Sequence, residues 1–242
     1  DITWAYKLVV GNLNQPSEAK YWMNNTFLIL PFFLLTVLGC KAQDKEPSDF
    51  IPKGYALFEK YFGDLNKDGL DDCVLIIKKT DTTNIVTNRF DKKVDRNRRG
   101  IVVLFKKEKG YELADKNYSC FSSENEDGGV YFPPELWIKI ENEKLYIHYG
   151  HGRYGYWKYT FRYQNSNFEL IGYDSSSNRG PVTNTETSIN FLTKKKLIKE
   201  NTNENAEGGD ETFKETWNKI KIENLIKLSE IKDFDELDMY NY

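Results

Sequence analysis

The residues with the clearest chemistry lie between positions 64 and 72, where oxygen-bearing side chains recur at a fixed spacing. Carboxylate, amide and backbone carbonyl oxygens are the ligands that Ca²⁺, a hard cation, prefers. A calcium loop presents them at its first, third, fifth, seventh and ninth positions, with glycine at the sixth for a sharp turn. The segment fills these positions, in chain order, with Asp64, Asn66, Asp68, Gly69, Leu70 and Asp72.

The loop lacks the glutamate that closes a helical EF-hand, because Leu75 stands at its twelfth position. It resembles the calcium loop of FG-GAP repeats, found in integrin α-subunit propellers and many bacterial surface proteins. In those repeats a D-x-N-x-D-G-x-x-D run leads directly into an apolar strand, as it does here into residues 73–77. The resemblance occurs once in the chain and implies Ca²⁺ bound by Asp64, Asn66, Asp68, Leu70 and Asp72. An Asx-rich turn without metal is the alternative.

We expect the calcium to be structural, because the loop itself supplies every proposed ligand and reserves no position for a substrate. Ca²⁺ also rarely generates a hydroxide nucleophile as Zn²⁺ does. The ion would fix the point at which the following strand begins.

A second group of chemically capable residues surrounds the two histidines of the chain. His148, His151, Arg153 and Tyr154 form a candidate ligand cleft, since aromatic faces and an Arg fork suit a sugar or a peptide. The pair of histidines alone is a poor zinc signal because no third ligand is evident. Residues 150–155 spell G-x-G-x-x-G, but the aromatic strand pattern that follows predicts a turn between strands instead of a dinucleotide site.

Paired carboxylates offer a catalytic alternative. Glu124, Glu126 and Asp127 precede two glycines, and two carboxylates can perform acid–base chemistry in glycosidases. Solvated turn residues are the simpler interpretation of three acids in one glycine-ended loop. No G-x-S-x-G elbow or Walker loop occurs in the chain.

Residues 23–39 predict a secretory signal peptide. The uncharged apolar run at 27–38 is too short to span a membrane comfortably, and it ends in Val-Leu-Gly before Cys40. This ending resembles a bacterial lipobox, which implies that Cys40 is acylated and becomes the first residue of the mature protein. Residues 1–22 then correspond to translated upstream sequence, and residues 40–50 comprise the acylated cysteine and a polar tether.

Cys73 and Cys120 are the remaining cysteines, and an even pair in an oxidising compartment can form a disulfide. Two buried thiols are an equally acceptable alternative, because sequence does not give the Cα separation that a bridge requires.

The charge balance does not indicate a nucleic-acid or membrane-surface partner. The formal net charge is −3, which is too mild to indicate a nucleic-acid partner. The basic stretch at 89–99 contains two aspartates and one aromatic residue, so we expect a solvated loop.

Short strands joined by tight turns account for most of residues 51–242, which we expect to form a single domain. Residues 157–163 show the clearest period of two, with Trp157, Tyr159, Phe161 and Tyr163 on one face. The prediction is a mainly β fold of antiparallel meanders, packed as a sandwich or as propeller-like blades. Residues 55–62 and 213–218 are predicted as short helices, and residues 188–192, 196–199 and 219–222 as strands.

These observations together predict a lipid-anchored protein of a Gram-negative cell envelope, periplasmic or surface-exposed. We expect a binding or assembly module whose partner is an envelope protein or glycan, with no nucleic acid. The alternative is an envelope hydrolase acting on glycans or peptides, with the 124–127 loop or the 148–153 turn in its cleft.

Overall fold

The structure is a computed structural model that describes residues 44–127 and 133–242. The predicted signal peptide, Cys40 and the first part of the tether lie outside the described residues. The described chain contains thirteen β-strands: β1 (Tyr55–Gly63), β2 (Asp72–Lys79), β3 (Ile85–Thr87), β4 (Lys93–Asp95), β5 (Arg99–Lys106), β6 (Tyr111–Phe121), β7 (Glu135–Glu141), β8 (Lys144–Gly150), β9 (Gly155–Gln164), β10 (Asn167–Arg179), β11 (Val182–Asn190), β12 (Lys195–Asn201) and β13 (Phe213–Lys219).

The strands form two antiparallel sheets and a separate hairpin. A four-stranded sheet has the order β1-β2-β5-β6, and a seven-stranded meander has the order β13-β12-β11-β10-β9-β8-β7. Strands β3 and β4 pair with each other in the connection between β2 and β5. The mainly β, antiparallel prediction is confirmed, and the two sheets are arranged as a sandwich.

The inner faces of the two sheets share one apolar core. Ile76 and Val103 of the smaller sheet belong to the same buried cluster as Ile147 and Phe161 of the larger one. Ile147 and Phe161 alternate with polar neighbours along β8 and β9, as the period-two pattern predicted. Burial of this apolar surface is the main stabilising contribution to the sandwich.

The C-terminal segment 220–242 contributes to the same core without forming a strand. The Phe234 ring lies 5.1 Å from that of Phe121 and 5.0 Å from that of Tyr159, measured between ring centroids. The Asn117 side-chain amide donates to the backbone carbonyls of Leu228 and Ile231, which fixes the path of the segment across the sheet.

Strands β2 and β5 are buried on both faces. Their second face carries Cys73, Leu75 and Val102, against which Phe50 and Tyr55 pack. A strand covered on both sides needs apolar residues at consecutive positions, which explains the unbroken runs at 73–77 and 101–105.

Both predicted helices are wrong. Residues 55–62 lie in β1, paired with β2, and residues 213–218 lie in β13, paired with β12. Pairing with a neighbouring strand outweighs the weak local preference of such short segments. The helices of the described chain are four single 3-10 turns: Pro47–Phe50, Thr82–Asn84, Gly152–Tyr154 and Leu228–Glu230. The strand predicted at 219–222 is also wrong beyond Lys219, the last residue of β13.

Candidate functional site

The candidate calcium loop connects β1 to β2 and is held by its own side chains. The Asp64 carboxylate accepts hydrogen bonds from the backbone amides of Lys67 at 2.7 Å and Gly69 at 3.0 Å. Lys67 and Gly69 both adopt positive φ, and glycine accommodates that conformation at the least cost. The Asp68 carboxylate accepts a hydrogen bond from the backbone amide of Leu70 at 2.9 Å. The loop is therefore preorganised by Asx-type hydrogen bonds.

Asp72 differs from the other acids of the loop because it is buried. Its Oδ2 accepts from the backbone amide of Leu65 at 2.8 Å, and its Oδ1 accepts from that of Lys106 at 2.9 Å. Burial raises the pKa of the Asp72 carboxyl, and the two backbone amides oppose that rise. The side chain fastens the loop to the end of β5, a structural role that the ligand spacing alone did not reveal.

The donor set of the loop suits a hard cation, since Asp64, Asn66 and Asp68 all offer oxygen. Within residues 44–127 and 133–242, however, no three His, Cys, Asp or Glu side chains are grouped closely enough to hold a metal ion. The Asn66 amide nitrogen instead donates to Asp68 Oδ2 at 3.0 Å. Calcium at this loop stays a prediction.

An open cleft of about 390 Å³ lies at the opposite end of β7 and β8. Trp137 of β7 is 50% exposed and lies across Gly150, where an added Cβ would come within 3.5 Å of the indole. The indole is thus within van der Waals reach of the Gly150 backbone. The cleft is lined by Pro133, Glu135, Trp137, Gly150, His151, Gly152, Arg153 and Tyr154.

The turn between β8 and β9 positions His151, Arg153 and Tyr154 in this cleft. The His151 backbone amide donates to the Gly155 carbonyl at 2.9 Å, and the Tyr154 amide donates to the His151 carbonyl at 3.0 Å. Gly155 has φ +110°, and an added Cβ would lie 1.9 Å from the carbonyl oxygen of Ser176. The glycine-rich stretch is therefore a tight turn between adjacent strands, as predicted.

His148 lies apart from that turn, on the outer face of the seven-stranded sheet. Its ring lies between those of Trp137 and Tyr156, with centroid separations of 4.8 Å and 5.2 Å. Burial lowers the pKa of His148, and the nearby Lys158 cation lowers it further. A neutral imidazole is thus favoured between two aromatic rings. Three of the four predicted cleft residues line one cleft, and the fourth extends its surface.

The sequence did not predict three of the lining residues, Pro133, Glu135 and Trp137. The signal for Glu135 and Trp137 was present in the alternation of β7, where Leu136, Ile138 and Ile140 face the core. A tryptophan on the outward face of such a strand is exposed and does not contribute to the core. When polar groups surround it, it indicates a binding surface.

Two of the three acids proposed for catalysis, Glu124 and Asp127, are ion-paired away from the cleft lining. Glu124 Oε1 lies 2.5 Å from the Nζ of the buried Lys78, and Asp127 Oδ2 lies 2.6 Å from an Nη of Arg96. The basic stretch at 89–99 supplies Arg96, Arg98 and Arg99 to ion pairs with acidic side chains. It is therefore only partly the solvated loop that we expected. These contacts give Glu124 and Asp127 structural roles.

The disulfide proposed between Cys73 and Cys120 is not formed, and both residues are buried free thiols. They lie on opposite faces of the four-stranded sheet, in two different apolar clusters, with β5 between their strands. Burial raises the pKa of Cys73 to about 11 and that of Cys120 further still. Neither thiol has the character of a nucleophile.

Comparison of the chain with protein-family models, with curated proteins and with solved structures found no match. In the described ranges, no helix has the length and apolar character needed to cross a membrane.

Proposed function

We propose that this chain is a lipid-anchored binding module of the cell envelope and that its cleft at Trp137 binds a glycan. The observation that carries the proposal is the half-exposed indole of Trp137 on β7, in a cleft that His151 and Arg153 also line. An exposed aromatic plane packs against the apolar face of a sugar ring, and neighbouring donors bond its hydroxyls.

The same cleft supports a hydrolase less well. Glycosidases need two carboxylates flanking the scissile bond. Glu135 is the one carboxylate in the described lining, and Glu124 and Asp127 are engaged with cations elsewhere. An open surface of this kind suits binding more than chemistry that requires exclusion of water.

The start of the described chain and the cleft lie at opposite ends of the sandwich. The described chain starts near the β1–β2 loop, because the Lys45 carbonyl accepts from the Tyr111 amide at the start of β6. Gly63, at the end of β1, packs against Ile140 near the end of β7, whereas the cleft lies at the start of β7. The length of β7 separates the two ends by roughly 20 Å.

We propose further that a structural Ca²⁺ stabilises the loop between β1 and β2. Asp64, Asn66, Asp68, the Leu70 carbonyl and Asp72 would hold it. The ion would supply charge neutralisation among the loop carboxylates and no chemistry on a substrate.

The test is direct binding of the purified protein to polysaccharide from bacterial envelopes. Co-sedimentation with peptidoglycan sacculi and titration with soluble O-polysaccharide are the two assays. Trp137→Ala should weaken binding, and Trp217→Ala is the matched control, since Trp217 is 62% exposed at the far edge of the same sheet. Equal binding by both variants, or none by the wild type, would overturn the proposal.

A further inference from the structure

A row of side chains crosses the outer face of the seven-stranded sheet from the cleft outward. The register pairs Trp137 with His148, His148 with Lys158, Lys158 with Asp174, and Asp174 with Ser188. These residues come from five consecutive strands, β7 to β11, and point to one face. We call them the cross-strand row.

The first half of the cross-strand row is aromatic and is extended by Tyr156 of β9, which lies beside it. The Trp137, His148 and Tyr156 rings follow one another with centroid separations of 4.8 and 5.2 Å, and the last two are stacked. The Lys158 ammonium lies 5.7 Å from the centroid of the Tyr146 ring, on the same face. The aromatic surface thus continues from the cleft without a break as far as β9.

The second half of the row is polar and hydrogen-bonded. Asp174 forms an ion pair with the Lys158 ammonium at 3.2 Å and accepts a hydrogen bond from the Ser188 hydroxyl at 2.7 Å. A shallow second hollow of about 180 Å³ lies here, with Tyr156, Asp174, Glu186 and Ser188 among its lining residues. Carboxylates and hydroxyls fixed in this way are suited to hydrogen-bond the hydroxyls of a sugar.

We infer that the cleft and the second hollow are two ends of one binding track, and that the ligand is an extended oligosaccharide. This inference rests on the proposed glycan-binding function and adds the length of the ligand to it. Four strand spacings separate β7 from β11, which is about 19 Å. A ligand that contacts both ends must therefore be an oligosaccharide instead of a single sugar.

An extended peptide fits the same track less well. Peptides that bind sheets usually add a strand at an edge, where backbone groups are free. Strand β7 is an edge strand, but β8 to β11 are paired on both sides, so most of the track offers side chains and no unpaired ladder. The sheet also twists by about 20–25° at each strand, which favours a ligand jointed at every ring.

The experiment compares ligand length with position on the row. The probes are fragments graded from disaccharide to hexasaccharide, prepared from peptidoglycan and from O-polysaccharide, and titrated into the full chain by calorimetry. Affinity should rise with length. Tyr156→Ala should weaken hexasaccharide binding by about three- to tenfold and leave disaccharide binding unchanged, whereas Trp137→Ala should weaken both.

Two further variants guard against misfolding and nonspecific effects. Tyr156→Phe keeps the ring and should retain most of the hexasaccharide affinity, and Trp217→Ala should leave every affinity unchanged. Length-independent affinity, or an indifferent Tyr156→Ala with a weakened Trp137→Ala, would overturn the track while leaving the proposed function standing. If no fragment binds, both fall.

Discussion

Asp72→Asn tests whether the last acid of the loop is a structural fastener. The substitution keeps one acceptor oxygen and replaces the other with an NH₂ group. One backbone amide, that of Leu65 or of Lys106, then faces a donor where it now has an acceptor. The burial of Asp72 prevents water from replacing the lost bond.

The expected cost follows from these contacts. A hydrogen bond to a charged group contributes about 1.5–3 kcal/mol, and a buried amide left unsatisfied costs about 1–3 kcal/mol. Removing a buried charge offsets part of this cost. We therefore expect Asp72→Asn to lower the free energy of unfolding by about 1–3 kcal/mol. Asp71→Asn, at an exposed neighbouring position, should change it by less than about 0.5 kcal/mol.

The pH dependence provides a second readout. Because burial raises the pKa of Asp72, the folded state binds more protons than the unfolded chain between the ordinary and the raised pKa. The stabilising contribution of Asp72 should fall as pH rises through that window, and the cost of Asp72→Asn should shrink with it. Urea unfolding followed by tryptophan fluorescence, in EGTA at several pH values, measures both quantities. A cost no larger than that of Asp71→Asn would refute the fastening role.

Three further outcomes follow from the same contacts. At about 1 mM Ca²⁺ and a Kd of about 0.1 mM, linkage gives about 1.4 kcal/mol of stability, so EGTA should lower Tm by a few degrees. Asp68→Ala should abolish this response, and the control Asp71→Ala should retain it. A wild-type Tm that does not respond to Ca²⁺ would show that the loop is only a turn. Because the pKa of His148 is lowered, stability should fall as pH drops below the ordinary histidine pKa. His148→Gln should flatten that slope in melting curves from roughly pH 7 to pH 5, and an unchanged slope would contradict the assignment. Fatty-acid labelling in cells should tag the protein and be lost in Cys40→Ala, whereas labelling that survives would exclude acylation there.

The period-two patterns were sufficient to predict the central strands. Alternation placed Tyr159 and Phe161 on the inner face of β9, and the turn at 164–167 correctly joined β9 to β10. Residues 213–218 were misassigned because β13 is an edge strand with little buried surface, so its residues lack an alternating apolar pattern. Pairing with β12, a nonlocal contact, decides its conformation.

The sequence predicted only part of the cleft, for a similar reason. His151, Arg153 and Tyr154 share one turn, so their proximity follows from sequence separation alone. The contact between Trp137 and His148 depends on the register of β7 and β8, which the sequence does not specify residue by residue. Register also decides that Cys73 and Cys120 face opposite sides of their sheet.

The most direct test of glycan binding at the cleft is the affinity of Trp137→Ala for the envelope polysaccharide that binds the wild type. Loss of the exposed indole should weaken binding by about three- to tenfold or more, with Tm unchanged because the side chain lies outside the core. Trp217→Ala should bind as the wild type does. Retention of full affinity by Trp137→Ala, or an equal loss in both variants, would contradict a glycan site at this cleft.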